Sequence, residues 1–275
     1  MLSISMLISS LLGDIDIIST AGCETRIVVP KYKSVFDIGF ADNLSLKYQN
    51  VFVSHTHADH VAGIWRHAAM QEFMHNRVGN YYAPKQNTGL IKAYLDAGRA
   101  MNHCDTTKAV VTDTEPTGNG VGGNVRIYSF VTDHRIPSCG YLGIHKKSKL
   151  KDEYVGLSAA DIQKLVHNNI TVNHFVENVE FAYTGDTRID AVLNNKDVLC
   201  SDTLIIECTH VSKKSVEETR NNGHIHLDEI IANSHMFKNK EIILMHFSRM
   251  YCKEEIEKEI ARIPEELRVR IKFAI

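Results

Sequence analysis

The chain has 275 residues, 44% of them hydrophobic and 23% charged, the balance of an ordinary soluble globular protein. That length buries a core without staples, and a net charge of −2 excludes a globally basic nucleic-acid binder, leaving only a local basic patch for such a partner. Fifteen histidines are the one compositional excess, and imidazole is the commonest protein metal ligand.

The opening "MLSISMLISSLLGDIDI" is apolar but has no Lys or Arg before Arg26, so it lacks the basic start of a secretory signal and the arginines of a transit peptide. It is too short to span a membrane, and reads as an opening β-strand. "TRIVVP", "SVFDIGF" and "NVFVSH" follow as short β-branched runs separated by turn residues, in the manner of hairpins. A helical pattern covers about 60–76, then a strand "NYYAP" and an amphipathic helix from about 86 to 101. "TDTEPTGNGVGGN" reads as a loop, and without G-K-[ST] it is not a phosphate-binding P-loop.

"VRIYSFVTDH" is a strand, "KKSKLKDEY" a charged connection, and "SAADIQKLVHN" a helix capped by Ser158. "VEFAYTGD", "TLIIECTH" and "EIILMHF" are strands, with helices at about 226–237 and in "CKEEIEKEIARI" and a closing strand "RVRIKFAI". Strands dominate each half with helices between and after them. The expected fold is therefore α/β, two packed sheets with helices outside, a four-layer αββα sandwich in one domain spanning 1–275. The six cysteines (Cys23, Cys104, Cys139, Cys200, Cys208, Cys252) are scattered without a C-x-x-C pair, which argues against a zinc ribbon or a disulfide framework and for a reducing compartment.

Four strand-like runs end in a metal-ligand type: "VFVSH" at His55, "VRIYSFVTDH" at His134, "VEFAYTGD" at Asp186 and "EIILMH" at His246. Side chains at strand ends can converge on one rim of a sandwich although distant in sequence. The first of them opens H-x-H-x-D-H, His55, His57, Asp59 and His60, so seven candidate ligands are available. For any one of them a satisfied loop-start residue is the plainer reading; four such endings together are not easily coincidence. Imidazole and carboxylate without thiolate suit zinc, with manganese or iron as substitutes, and disfavour a structural zinc clip. Seven ligands make two sites if one carboxylate bridges, and two metals roughly 3.5–4 Å apart suit in-line attack on a phosphodiester.

"SHTHADHVAG" resembles the signature of the metallo-β-lactamase superfamily. "DHRIPSCGY", "TGDT", "IECT", "GHIHLDEI" and "HFSRMY", in that order and spacing, resemble the ribonuclease Z family, and "KKSKLKDEYVGLSAADI" resembles its short, plant-type forms. The likeness runs from about Gly22 to the last helix. It implies a zinc-dependent endoribonuclease that removes the 3′ trailer of precursor tRNA, leaving a tRNA 3′-hydroxyl and a trailer 5′-phosphate. It further implies two zinc ions per chain, one on His55, His57 and His134, the other on Asp59, His60 and His246, with Asp186 bridging and Asp59 also orienting or deprotonating the attacking water.

The resemblance makes Glu207 the support of a proton-donating histidine. "GHIHLDEI" offers two, and the family's lies 22 positions before the last metal ligand, the separation of His224 from His246. His224 is preferred, His226 is the runner-up, and the plainer reading has both capping the helix start. Thr187, Ser248 and Arg249 directly follow ligands and are read as facing the phosphate. Asp37 stands where the superfamily has an Asp supporting the site, and Cys139 and Cys208 read as small buried side chains.

The chain departs from the family in one segment. The bacterial Gly/Pro-rich arm is replaced by about 143–170, a shortened exosite-like stretch without proline, in which Lys146, Lys147, Lys149 and Lys151 are either a solvated face or a tRNA-backbone contact. His210 stands where an aromatic is usual, a stray ligand candidate, and 116–123 looks inserted, without a functional reading. The family's habit implies a homodimer; no membrane partner is expected, and cytosol or nucleus leads, with a mitochondrial pool as the further case. A second reading keeps the fold and metals in a small-substrate hydrolase, a cyclic-nucleotide or generic phosphodiesterase before a glyoxalase II-like thioesterase or a lactamase. The Glu207–His224 pair with "HFS" separates the two readings. A third, a non-catalytic binding module, would need lost ligands, and all seven positions are filled.

Overall fold

The computed structural model describes residues 5–102, 109–114, 119–122 and 125–275. Seven strands form the first sheet in chain order: β1 (Met6–Ser10), β2 (Gly13–Thr20), β3 (Glu24–Val29), β4 (Ser34–Ile38), β5 (Asn50–Phe52), β6 (Asn80–Ala83) and β7 (Val110–Asp113). The opening stretch thus holds two strands rather than one, and β1 to β4 are antiparallel neighbours. The expected hairpins end there. β4 to β7 pair in parallel: a loop with a short 3-10 turn at Ser45–Lys47 carries the chain from β4 to β5, helices α1 (Ala58–Val61) and α2 (Ile64–His75) from β5 to β6, and α3 (Lys85–Met101) from β6 to β7.

The second sheet is built from β8 (Asn119–Gly122), β9 (Val125–Val131), β10 (Cys139–Leu150), β11 (Asn173–Tyr183), β12 (Thr203–Glu207), β13 (Glu241–Met245) and β14 (Ile271–Phe273), adjacent in that order but running in reverse across the sheet. Between and after them lie α4 (Ala159–His167), α5 (Ile189–Leu193), α6 (Lys196–Cys200), α7 (Val216–Asn221), α8 (Leu227–Ala232), α9 (Lys253–Ile260) and α10 (Glu265–Arg268). Part of the stretch read as an inserted loop is therefore strand, β8 pairing antiparallel with β9; 115–118 and 123–124 lie outside the described residues. The Ser158 cap of α4 is present, its side chain accepting from the Asp161 N–H.

Burial explains the layering. Phe36, Phe52, Tyr141, Phe181, Ile205 and Ile243 meet between the sheets. On β12 and β13 the alternate residues Leu204, Ile206, Ile242 and Leu244 face outward, where Ile189, Leu227, Ile230 and Ile256 cover them. A strand covered on both faces reads as an unbroken apolar run, and "TLII" is one. On the other side Val28, Val35, Ile38 and Val51 are covered by Ile64, Ala68, Ile91 and Leu95. The result is the expected αββα sandwich.

An aromatic knot ties the two sheets beneath one rim. Phe36 lies 4.9 Å from Phe181, and Phe52 lies 5.4 Å from Tyr141, ring centre to ring centre, each such pair adding about 0.5–1.5 kcal/mol beyond area burial. It fixes the ends of β4, β5, β10 and β11 against one another, and the ligand-bearing loops leave from that rim. At their other ends β10 and β11 outrun the sheet. The run read as a charged connection is the second half of β10, paired from Lys146↔Glu177 to Leu150↔Asn173, so the shortened segment is an ordered two-stranded ribbon carrying α4.

Candidate active site

His55 follows β5, His134 follows β9, Asp186 follows β11 and His246 directly follows β13, so four strand ends of two sheets deliver candidate ligands to one rim. The structure brings all seven sequence-identified residues together. His55, His57, His134 and Asp186 form one group and Asp59, His60 and His246 another, with ligand atoms in each within 4.8 Å of one another, and Asp186 also groups with His224 and His246. His246 and Asp37 both adopt left-handed backbone, φ +63° and +54°, conformations costly for non-glycine residues that persist where the surroundings over-determine them. Gly185 takes φ +59° beside Asp186, and a Cβ there would stand 2.6 Å from the Ser54 Cβ, so the turn needs glycine.

Hydrogen bonds fix which ring nitrogens face inward. His60 Nδ1 donates to Asp37 Oδ2 at 2.8 Å and His134 Nδ1 to the Gly223 carbonyl at 2.9 Å. Ser54 Oγ gives its one proton to Asp37 Oδ2 at 2.7 Å, so it accepts from His55 Nδ1 at 3.0 Å. Thr209 Oγ1 likewise donates to Glu207 Oε2 at 2.6 Å and accepts from His246 Nδ1 at 3.0 Å. The Nε2 atoms of four histidines are thereby turned into the site, the arrangement metal-binding histidines need. His57 turns Nδ1 inward instead, 3.1 Å from His55 Nε2 and 3.2 Å from His134 Nε2.

These donors fit divalent cations. The Nε2 lone pairs of His60 and His246 face each other at 3.3 Å, which only a proton or a cation relieves. Asp186 is buried, and its Oδ1, 3.4 Å and 3.5 Å from those two nitrogens, has no hydrogen-bond partner. Its Oδ2 lies 3.7 Å from His55 Nε2, so one carboxylate presents an oxygen to each group. The electrostatics agree. Burial, with the charge of His60 beside it, pushes His55 well down, and burial also lowers His57 and His134, keeping them neutral as ligands must be. Burial acts against charge on His60 too, yet the Asp186 and Asp37 carboxylates outweigh it and hold that imidazole well up, so the site calls for positive charge at this point.

Asp59 sits half-buried, its Oδ2 accepting the Gly22 N–H at 2.8 Å. Burial would raise its carboxyl, but His246 and His60 prevail and hold it well below the usual carboxylate range. His224 lies on the same rim, its Nδ1 2.9 Å from Glu207 Oε1 and 3.8 Å from Asp186 Oδ2. Burial opposes its charge, but the Glu207 carboxylate wins and raises it to about 9. His226 takes the other role weighed for it. It caps α8, Nδ1 accepting the Asp228 N–H, and does not reach Glu207. His210 is buried on Thr219 Oγ1 at 3.0 Å and is outside both ligand groups.

One sequence expectation needs correction. Thr187 is fully buried, its hydroxyl accepting from the Asp133 N–H and donating to the Arg188 carbonyl, while its own N–H binds Glu207 Oε1. It braces Glu207 rather than facing a phosphate. The four lysines lie at the end of β10 away from the site, far from the scissile bond. At about 3.4 Å per strand residue, Lys146 is roughly 24 Å and Leu150 roughly 37 Å along the strand from Cys139, whose N–H binds the Ser54 carbonyl at the site. Ser248 is half-buried and Arg249 exposed on the loop after His246. Cys139 and Cys208 are buried, burial pushing the first thiol up to about 12 and the second well up. Sequence reasoning missed Ser54, Thr209 and Tyr183, whose hydroxyl donates to Asp37 Oδ2 at 2.5 Å. Their position inside the quoted motifs was the only signal. Beside His134 a cleft of about 710 Å³ opens between Pro84–Gln86 at the start of α3 and the Arg135–Cys139 loop.

No family model matches the chain. It is 31% identical over 261 residues, 94% of its length, to tRNase Z TRZ1 of Arabidopsis thaliana, 93% of which is covered. Among solved structures it superposes on the short form of human tRNase Z with a TM-score of 0.56 at 15% identity, covering 99% of this chain and 94% of that one. The metallo-β-lactamase fold protein YhfI of Bacillus subtilis gives a TM-score of 0.58 at 16% identity, with 90% and 92% covered. These two likenesses show the fold, the metallo-β-lactamase sandwich.

Proposed function

The chain belongs to the tRNase Z (ribonuclease Z) family, and from that premise we propose that it cuts precursor tRNA just after the discriminator base by hydrolysis assisted by two divalent cations, zinc by donor type. The observation that carries this reading is the Glu207–His224 pair, set 3.8 Å from the shared Asp186 carboxylate. A hydrolase that only needs a nucleophile does not require a supported imidazole here; one that must expel an alkoxide does.

His55, His57 and His134 would hold one cation, Asp59, His60 and His246 the other, and Asp186 would serve both. When bound, such a pair supplies Lewis acidity, lowering the pKa of water and offsetting phosphodiester charge. The residues of the chain do the rest. Asp59, held ionised, orients the attacking water and accepts its proton. The water oxygen bonds to phosphorus as the bond from phosphorus to the 3′ oxygen breaks. His224, kept protonated by Glu207, gives its Nε2 proton to the departing oxygen, so the tRNA leaves with a 3′-hydroxyl and the trailer with a 5′-phosphate. Arg249 and Ser248, beside His246, remain candidates for the phosphate.

The ribbon lysines serve the body of the tRNA at a distance, or the site of a second copy in a homodimer. The exposed apolar stripe Leu90, Tyr94 and Met101 along α3 supports the dimer. No helix among the described residues is long and apolar enough to cross a membrane, and the five described cysteines are free thiols, which suits the cytosol or nucleus.

One gel tests the reading, with wild type and H224A on a 3′-extended precursor tRNA and on a small chromogenic phosphodiester. A single cut at the discriminator by wild type, lost in H224A, is expected. Hydrolysis of the small ester with intact RNA would overturn it in favour of a small-substrate phosphodiesterase.

A further inference from the structure

Glu207 holds two histidines, one directly and one through a hydroxyl. Its Oε1 accepts from His224 Nδ1 at 2.9 Å, and its Oε2 accepts from Thr209 Oγ1, which itself accepts from His246 Nδ1 at 3.0 Å. Asp37 repeats the pattern in the other sheet, holding His60 directly and His55 through Ser54. The two relays end differently. Asp37 joins two ligand histidines, one from each group, whereas Glu207 joins a ligand histidine to the proton donor.

We infer that Thr209 is a positioning residue whose hydroxyl couples cation binding at the Asp59–His60–His246 group to the Glu207–His224 pair. The Glu207 charge polarises the Thr209 O–H, which makes the oxygen a stronger acceptor for His246 Nδ1–H and its Nε2 a stronger ligand. Glu207, Thr209 and His246 are at most 4% exposed, so water neither competes for these bonds nor screens them. Coupling of this kind is reciprocal, so what strengthens the ligand also orders the carboxylate that holds the donor. A hydrogen-bonded relay and the bare field of Glu207 differ in one respect. The field acts with or without the hydroxyl; the relay does not.

The inference rests on the two-cation reading, and a double-mutant cycle in Zn2+ affinity separates the two. The ion alone is titrated against a chromophoric chelator into wild type, T209V, E207Q, the double variant and T209S, with circular dichroism and melting of the ion-free forms as the fold check. T209A replaces T209V should the valine not pack. T209V is expected to weaken one of two ions by about 10–100-fold, E207Q to weaken the same ion, the double variant to lose no more than T209V alone, and T209S to bind as wild type does. Additive losses, or wild-type affinity in T209V, would overturn the relay in a chain that still binds two ions. Wild type that binds fewer than two would overturn the two-cation reading and this inference with it.

Discussion

The two ends of the β10–β11 pair face opposite tasks. At Cys139 and Tyr183 the strands are buried, packed in the aromatic knot and hydrogen-bonded into the carboxylate network. At Leu150 and Asn173 they are a solvated ribbon, held by their own ladder and by Lys146 stacked 4.8 Å over Phe175. The near end is over-determined: Asp37 Oδ2 alone accepts from Ser54, His60 and Tyr183, which holds each of them in one orientation, as chemistry at fixed distances requires. The far end is loosely specified, which suits the contact proposed for it, with a polyanion's backbone by charge rather than by shape.

If that contrast is right, substitutions at the near end should cost turnover and metal, and those at the far end only substrate affinity. The largest loss is expected for D59A and D186N, which should abolish cleavage by orders of magnitude, D59A while remaining folded; retained activity in D59A would remove its role. H224A comes next, lowering kcat by about 10²–10⁴-fold with KM for precursor tRNA little changed, as read from initial rates.

On the ribbon the register sharpens the prediction. Lys147 and Lys149 share a face with Val176 and His174, and Lys146 lies on the other. Lys147 is 3.6 Å from Glu180 and Lys151 3.9 Å from Glu153, so Lys149 is the least committed of the four. Neutralising all four should raise KM for precursor tRNA and spare a small phosphodiester, with K149Q the largest single contributor and each lost phosphate contact reducing the salt slope by about one. Equal loss on both substrates would erase the distinction between the ends.

The smallest effect should appear where the ribbon joins the sheet. Burial would raise Glu180, but Lys31 and His145 outweigh it and depress the carboxyl from 4.5 to about 2. A depressed carboxyl stabilises the fold above its unfolded value and loses that contribution as pH falls through the folded one. The melting difference between wild type and E180Q should therefore be full above pH 4.5 and vanish toward pH 2.

The convergence of the seven candidate ligands was legible because each ends an apolar run or lies in one dense motif, and strand ends can meet only at a rim. The hydroxyls were not, since Ser54 and Thr209 are common residue types whose roles depend on atoms far away in sequence. Thr187 was misread because adjacency to Asp186 says nothing of direction; in the turn after β11 its side chain points to the Asp133 N–H and the Arg188 carbonyl. The ribbon was misread as a connection because "KKSKL" lacks apolar alternation. A strand exposed on both faces needs none, since the ladder to its partner strand specifies it.

The left-handed backbone at His246 puts the ligand at odds with its own main chain. Glycine would relax there, but H246G also empties the space of a buried imidazole and strips Thr209 of its partner, so it should melt lower than wild type without ions and lower still once they are supplied. Stability measured on ion-free material would thus record only part of that loss, and a strained turn is kept for what its side chain reaches rather than for the ease of its own backbone.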